Sequence, residues 1–241
     1  MTTITARVIS LNTSSRFGFV INKKYKMKKV VFDIETVRRY ETWEECPEIF
    51  RDAWEYVAKS KFPDMEPKAS YLEKAGLFPE FGMIVAISAM TSGSEVVSFW
   101  GDEQELLFDF SEYLGMTGSV KLIGHNVKGF DIPYVVTRLM HHGLSLPTCL
   151  QLYGRKPWEM DILDTMDAWK LGFYRTSQAA SLISVCLALG IKSPKSDISG
   201  ADVGDAFYRG EINRIVKYCE ADVRATGQVV NRLVELKAIR L

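Results

Sequence analysis

Hydrophobic and polar positions alternate with a period of two over residues 29–36, where Phe32 and Ile34 fall on one side and Asp33 and Glu35 on the other. With β-branched and aromatic residues dominating, this reads as a buried strand. Residues 82–90 (Met83-Ile84-Val85-Ala86-Ile87-Ser88) give a second strand and residues 95–100 a third, with Gly93 marking a hairpin between them. Residues 102–114 switch to helical spacing, with Leu106, Leu107, Phe110 and Leu114 inward. Val120, Leu122 and Ile123 form a fourth strand, and Gly124 and Gly129 bracket a tight loop after it. A helix follows, with Pro133 near its start and Val135, Val136, Leu139 and Met140 on its apolar face. Residues 160–163 make a short fifth strand, and helices over 178–190 and 211–237 close the chain. Between the first two strands, residues 43–74 are charged, aromatic and helical, but Pro47, Pro63 and Pro67 break them into pieces. An opening meander followed by strand–helix alternation predicts an α/β fold, a mixed sheet with helices on both faces.

Composition limits this to one sizeable core. The chain has 241 residues, 47% of them hydrophobic, which leaves no room for a second full domain. Neither a repeat nor a low-complexity tract is present, and no apolar run is long enough to span a bilayer. The formal net charge is zero, so no global field draws in a polyanion. A nucleic-acid partner would have to be held by local cations and by metals. The four cysteines, Cys46, Cys149, Cys186 and Cys219, form no CxxC pair, which argues against zinc and suits a reducing, cytoplasmic setting. Cys186 and Cys219 lie on apolar helix stripes and read as core residues.

The polar positions that break the pattern are mostly acidic. Asp33 and Glu35 point the same way from an apolar strand, and no Lys or Arg separates them. Such a pair repels unless a cation lies between, and hard oxygen ligands suit Mg²⁺ or Mn²⁺. The alternative is an edge strand showing its polar face to water. Asp131 opens the helix after the Gly124–His125–Asn126 loop, where it would serve as an N-cap, face a metal, or do both. His125 is either a loop residue satisfied locally or a substrate contact. Tyr218 and Asp222 lie four apart on the last helix, off its stripe of Ile212, Ile215, Val216, Cys219 and Val223. A phenol one turn from a carboxylate can hydrogen-bond a metal-held water; otherwise the two form a solvated flank. Asp161, Asp164 and Asp167 recur every third residue. We read Asp164 as a helix cap, Asp167 as solvated and Asp161 as a strand-end residue near the site.

Taken together, Asp33-x-Glu35, Asn126-x4-Asp131 and Tyr218-x3-Asp222 resemble the motifs of the DEDD superfamily of 3′–5′ exonucleases. Tyrosine in the last motif resembles the DEDDy branch, and the chain is most similar to the stand-alone predicted 3′–5′ exonucleases related to the PolB exonuclease domain. The likeness runs from about Lys28 to the C-terminus and includes Ala188-Leu189-Gly190-Ile191 and the residues 195–200 that follow. It implies an RNase H-like α/β fold with a mixed five-stranded sheet. It also implies two divalent cations, Mg²⁺ or Mn²⁺, held by Asp33, Glu35, Asp131 and Asp222, with Asp33 bridging and Tyr218 orienting the attacking water. Thr36, His125, Asn126 and Phe130 become candidate substrate contacts. The expected activity is stepwise release of nucleoside 5′-monophosphates from a single-stranded 3′ end, DNA favoured over RNA. An exoribonuclease or a catalytically silent nucleic-acid-binding module are the alternatives. Phe130, Tyr153, Trp158 and Tyr174 are candidates for base stacking, and Arg155, Lys156, Lys192 and Lys195 for phosphates.

The start of the chain departs from this pattern. Its first 29 residues hold seven Lys or Arg and no Asp or Glu. We expect residues 1–27 to be a basic extension outside the core and 28–241 to be the exonuclease domain, with Met27 an alternative translation start. A transit peptide, a solubilising flank and a phosphate-contacting arm are the other readings of this stretch.

Overall fold

The computed structural model describes residues 27–116, 119–170, 180–192, 194 and 197–241. The expectations for residues 1–26, Tyr174 and Lys195 lie outside the described residues. Five strands, β1 (Lys28–Arg38), β2 (Gly82–Thr91), β3 (Val97–Trp100), β4 (Val120–Gly124) and β5 (Ile162–Asp164), form one sheet in the order β3-β2-β1-β4-β5. The β1–β2 and β2–β3 pairs are antiparallel, while β1–β4 and β4–β5 are parallel, so the sheet is mixed. The first long strand sits at its centre because both of its faces are apolar enough to be covered.

Alternation along β1 sorts the two sides. Val30, Phe32 and Ile34 enter one core with Leu106, Leu107, Phe110 and Leu114 of α3 (Glu103–Met116) and Val135 and Leu139 of α4 (Asp131–His141). Val31 and Val37 face the other side, where α8 (Ile212–Glu235) lies across the sheet through Ile215, Val216, Val223 and Val230. Asp33 and Glu35 share this α8 face by parity.

The proline-broken stretch becomes α1 (Glu48–Lys61) and α2 (Pro67–Lys74), which enclose a separate aromatic cluster. Trp54 and Tyr71 are wholly buried there among Phe50, Phe62, Phe78 and Phe81, and the Trp54 indole N–H donates to the Pro67 carbonyl at 3.0 Å. After β5 come α5 (Thr165–Trp169), α6 (Leu182–Ala188) and α7 (Val203–Tyr208). The helix expected from residue 178 begins instead at Leu182, because Ser181 caps it by accepting the Ser184 N–H at 3.2 Å. The α7 helix was not anticipated; its six residues are too few to show a periodic stripe.

Candidate active site

The site forms where β1 outruns its neighbour. β4 pairs with β1 only as far as Val31 and ends at Gly124, so the backbone of β1 beyond that point lacks a strand partner on this side. Asp131 fills the gap, its Oδ1 accepting the Ile34 N–H at 3.2 Å. The expected cap at Asp131 therefore takes another form. It is the first residue of α4, Phe130 occupies the cap position, and no side chain caps the helix there. A break in the β1–β2 register between Glu35 and Thr36 then turns the strand just after its second carboxylate.

The loop that delivers Asp131 is tight. A Cβ on Gly124 would come within 2.7 Å of the Val127 Cβ, and one on Gly129 within 2.7 Å of the Asn126 Oδ1. Asn126 itself sits at φ 61°, the left-handed region that asparagine tolerates better than most residues. Asp164 holds the loop from beneath. Its Oδ1 accepts the Asn126 N–H at 2.9 Å and its Oδ2 the Lys128 N–H at 3.1 Å, while Oδ1 also caps α5 through the Met166 N–H at 2.9 Å. The cap at Asp164 is as the sequence predicts. Its grip on the loop was not legible, because the bonded amides lie 38 and 36 residues upstream. Asp167 pairs with Lys128 at 3.2 Å. Asp161 is exposed at the start of β5, whereas the site lies at the strand ends beside Asp164 and Gly124; it takes no part there.

From the other side, α8 brings Tyr218, Cys219 and Asp222. Tyr218 and Asp222 share a cavity of about 510 Å³ with Asp33, His125, Ser181, Leu182, Ile183, Pro194, Ile198 and Ser199. Ligand atoms of Asp33, Glu35 and Cys219 lie within 4.8 Å of one another. Burial raises the Asp33 carboxyl well above the usual range, and the charges of Asp131, Glu35 and Asp222 add to this. Glu35 is only 7% exposed and is likewise raised by burial, then by Asp222 and Asp131. Burial pushes Asp131 up to about 7 against the opposing amides of Asp131 and Ile34, and Asp222 up to about 6 against a hydrogen bond from Tyr218. The same burial, with the negative charges of Asp222, Glu35 and Asp33, pushes the Tyr218 phenol upward, so it stays neutral. The acidic side chains named from the sequence thus converge electrostatically on Asp33 and Glu35, and Asp222 Oδ1 is buried with no hydrogen-bond partner among the described residues.

Cys219 is a core residue as expected, but its thiol also lies 3.3 Å from the Asp33 carbonyl and 3.7 Å from Oδ2. Apolar periodicity hid this contact, since a cysteine on a stripe looks like any other small apolar residue. His125 lines the cavity with both ring nitrogens engaged, at 2.9 Å from Thr165 Oγ1 and 2.7 Å from the Ala180 carbonyl. Phe130 is half-buried against Tyr134, with ring centroids 5.4 Å apart, and Asn126 is exposed on the loop. Thr36 lines a neighbouring cleft of about 280 Å³ with Arg38, Gly76 and Gly204.

Comparison with known proteins decides the family. Residues 79–238 match the family described as predicted 3′–5′ exonuclease related to the exonuclease domain of PolB. The chain belongs to this family. The matched span takes in Asp131, Tyr218 and Asp222 and begins after β1. Among curated relatives, an uncharacterised protein of Methanocaldococcus jannaschii is 25% identical over 171 residues, covering 68% of this chain and 93% of that protein. A DNA polymerase of Archaeoglobus fulgidus is 23% identical over 202 residues, covering 78% of this chain and 26% of the polymerase. The fold is similar to the family B DNA polymerase of Pyrobaculum calidifontis, with a TM-score of 0.58 at 16% identity over 88% of this chain and 25% of that one. The chain thus spans about a quarter of the length of either polymerase.

Proposed function

We propose that this chain is a metal-dependent 3′–5′ exonuclease of the DEDDy type that removes nucleoside 5′-monophosphates from the 3′ end of single-stranded nucleic acid, DNA favoured. What supports this reading is the mutual electrostatic effect that Asp131, Asp222 and Glu35 exert at Asp33, and Asp131 and Asp222 at Glu35, together with a buried Asp222 Oδ1 that has no hydrogen-bond partner among the described residues. Four carboxyl groups whose protons are all held unusually tightly need either protons or cations, and this donor set suits hard divalent ions. Asp33, Glu35, Asp131 and Asp222 are the residues that would hold such ions. Two such ions supply neutralisation of the scissile phosphate and a lowered pKa for the attacking water.

The protein's own groups do the rest. The neutral Tyr218 hydroxyl, held beside Asp222, orients the water by hydrogen bonding. Its proton is bound too firmly for it to act as the base. Water adds its oxygen to phosphorus and the P–O3′ bond breaks; overall one water proton ends on O3′, so the shortened strand carries a 3′ hydroxyl and the released nucleotide the 5′-phosphate. Leu182, Ile183 and Ile198 give the cavity an apolar wall beside the polar groups of Asp33, Tyr218 and Asp222. Thr36 directly follows Glu35 at the strand turn and Phe130 directly precedes Asp131 at the start of α4, which keeps both as proposed contacts for a terminal sugar and base.

A 5′-labelled single strand incubated with Mg²⁺ or Mn²⁺ should shorten one nucleotide at a time, and EDTA should stop it. Asp33→Ala or Asp222→Ala should remove about 4 kcal/mol of transition-state stabilisation, on the order of 10³-fold in rate, with the far-UV spectrum unchanged. Parallel DNA and RNA strands decide the sugar preference. Retained strand binding without laddering under any divalent ion would instead make the chain a silent binding module.

A further inference from the structure

We propose that His125 is a positioning residue whose ring ties the Ser181–Leu182–Ile183 wall of the cavity to the end of β4. This rests on the exonuclease reading for its effect on substrate, but not for the tie itself. The ring spans two otherwise separate segments. Nε2 is 2.7 Å from the Ala180 carbonyl and Nδ1 is 2.9 Å from Thr165 Oγ1. A carbonyl can only accept, so Nε2 carries the hydrogen, and in the neutral ring Nδ1 accepts from the Thr165 hydroxyl. Burial lowers the ring's pKa, which favours this neutral form. Thr165 is itself fully buried as the first residue of α5, directly after β5, so the far anchor of the ring is fixed; its single hydroxyl hydrogen serves Nδ1, at 2.9 Å, in preference to the more distant Gly124 carbonyl at 3.2 Å.

Ala180 immediately precedes Ser181, the cap of α6, and Ser181, Leu182 and Ile183 all line the carboxylate cavity. Asp33, Tyr218 and Asp222 line the same cavity. The wall thus shares its cavity with the proposed reacting groups, and the His125–Ala180 bond ties it to the end of β4, which His125 directly follows. With both nitrogens engaged inside the protein, the His125 ring has no polar atom left for a nucleotide. Its contribution is to the shape of the space that grips the terminal residue, and it is felt in substrate binding more than in the chemical step.

Two substitutions separate the donor from the rest of the ring. His125→Gln places an amide nitrogen near the position of Nε2 and should keep the bond to Ala180, whereas His125→Asn reaches only as far as Nδ1 and should lose it. The first readout needs no activity. In EDTA, amide hydrogen exchange across residues 180–188 should quicken in His125→Asn and stay near wild type in His125→Gln. With Mg²⁺ and a single-stranded oligonucleotide, His125→Asn should raise KM about tenfold, the scale of one lost hydrogen bond to a buried carbonyl, and change kcat little. His125→Gln should restore most of that. Unchanged exchange in His125→Asn, or equal damage in the two variants, would overturn the tie. A fall in kcat at unchanged KM would place His125 at the reacting atoms instead. If no strand is cleaved by any form, the exchange comparison still decides the tie, and the exonuclease reading fails separately.

Discussion

The residues that define the site are at odds with the fold that holds them. In an unfolded chain an Asp carboxyl loses its proton near pH 4. Here Asp222 keeps it to about 6 and Asp131 to about 7, mainly because burial disfavours the charge. Over that window the folded state binds more protons than the unfolded one, so these groups make stability fall as pH rises from about 4 to about 7. Each unit of upward shift corresponds to about 1.4 kcal/mol, a loss that a bound cation would offset. In EDTA, the melting temperature of wild type relative to Asp131→Asn should therefore decline across this window, and Mn²⁺ at pH 8 should recover it. Scanning calorimetry of the pair at several pH values checks this; a constant difference between them would contradict the burial of Asp131. Asp33 and Glu35 were readable as a pair from alternation alone, because a strand has only two faces. Asp164 and Cys219 were not, because their partners are distant in sequence and their own neighbourhoods look ordinary.

Elements position these residues through a few cross-connections that are independent of the apolar core. Glu103, at the start of α3, accepts the Ile84 N–H of β2 at 2.7 Å, Arg138 Nε of α4 at 2.8 Å and His142 Nε2 at 2.8 Å. Arg138 is 2% exposed and its third nitrogen donates to the Pro79 carbonyl at 3.0 Å. The cluster fixes the far end of α4, whose near end carries Asp131. Replacing Glu103 with Ala leaves a buried guanidinium without its carboxylate, a change that costs about 3–5 kcal/mol. A lowered urea midpoint at unchanged slope is the expected result, and a midpoint within error of wild type would show the pair to be dispensable. The strands and the longer helices were readable because their periodicity repeats several times. The short α7 and the true start of α6 were not, since a capping serine decides the latter and no stripe marks the former.

At the scale of the whole molecule, a chain of zero formal charge must concentrate its attraction for a polyanion locally. Tyr153 and Trp158 are exposed on the segment between α4 and β5. Lys156 Nζ stands 5.4 Å from the Trp158 ring centroid, and Arg155 is exposed with no ion pair among the described residues. This segment also packs on the first turns of α4, where Ile132, Pro133 and Val136 line an apolar cleft with Leu152 and Tyr153. Under the proposed exonuclease activity, we expect this segment to serve as a platform for the strand leading away from the site. In EDTA, Tyr153→Ala with Trp158→Ala should weaken binding of a single-stranded oligonucleotide by about 1–3 kcal/mol per lost stack. Fluorescence anisotropy measures this, and unchanged affinity would send the strand elsewhere.

The sequence by itself determined the two faces of β1, the mixed α/β order of elements and the identities of the acidic side chains, because alternation and helical period are local properties of the chain. Tertiary structure alone decided that β4 stops short and leaves the Ile34 amide to Asp131, that Asp164 pins the loop between them, and that His125 reaches Ala180. Those are contacts between segments 36 to 97 residues apart, and no short-range pattern encodes which distant group will lie opposite an unpaired amide or carbonyl once the sheet has formed.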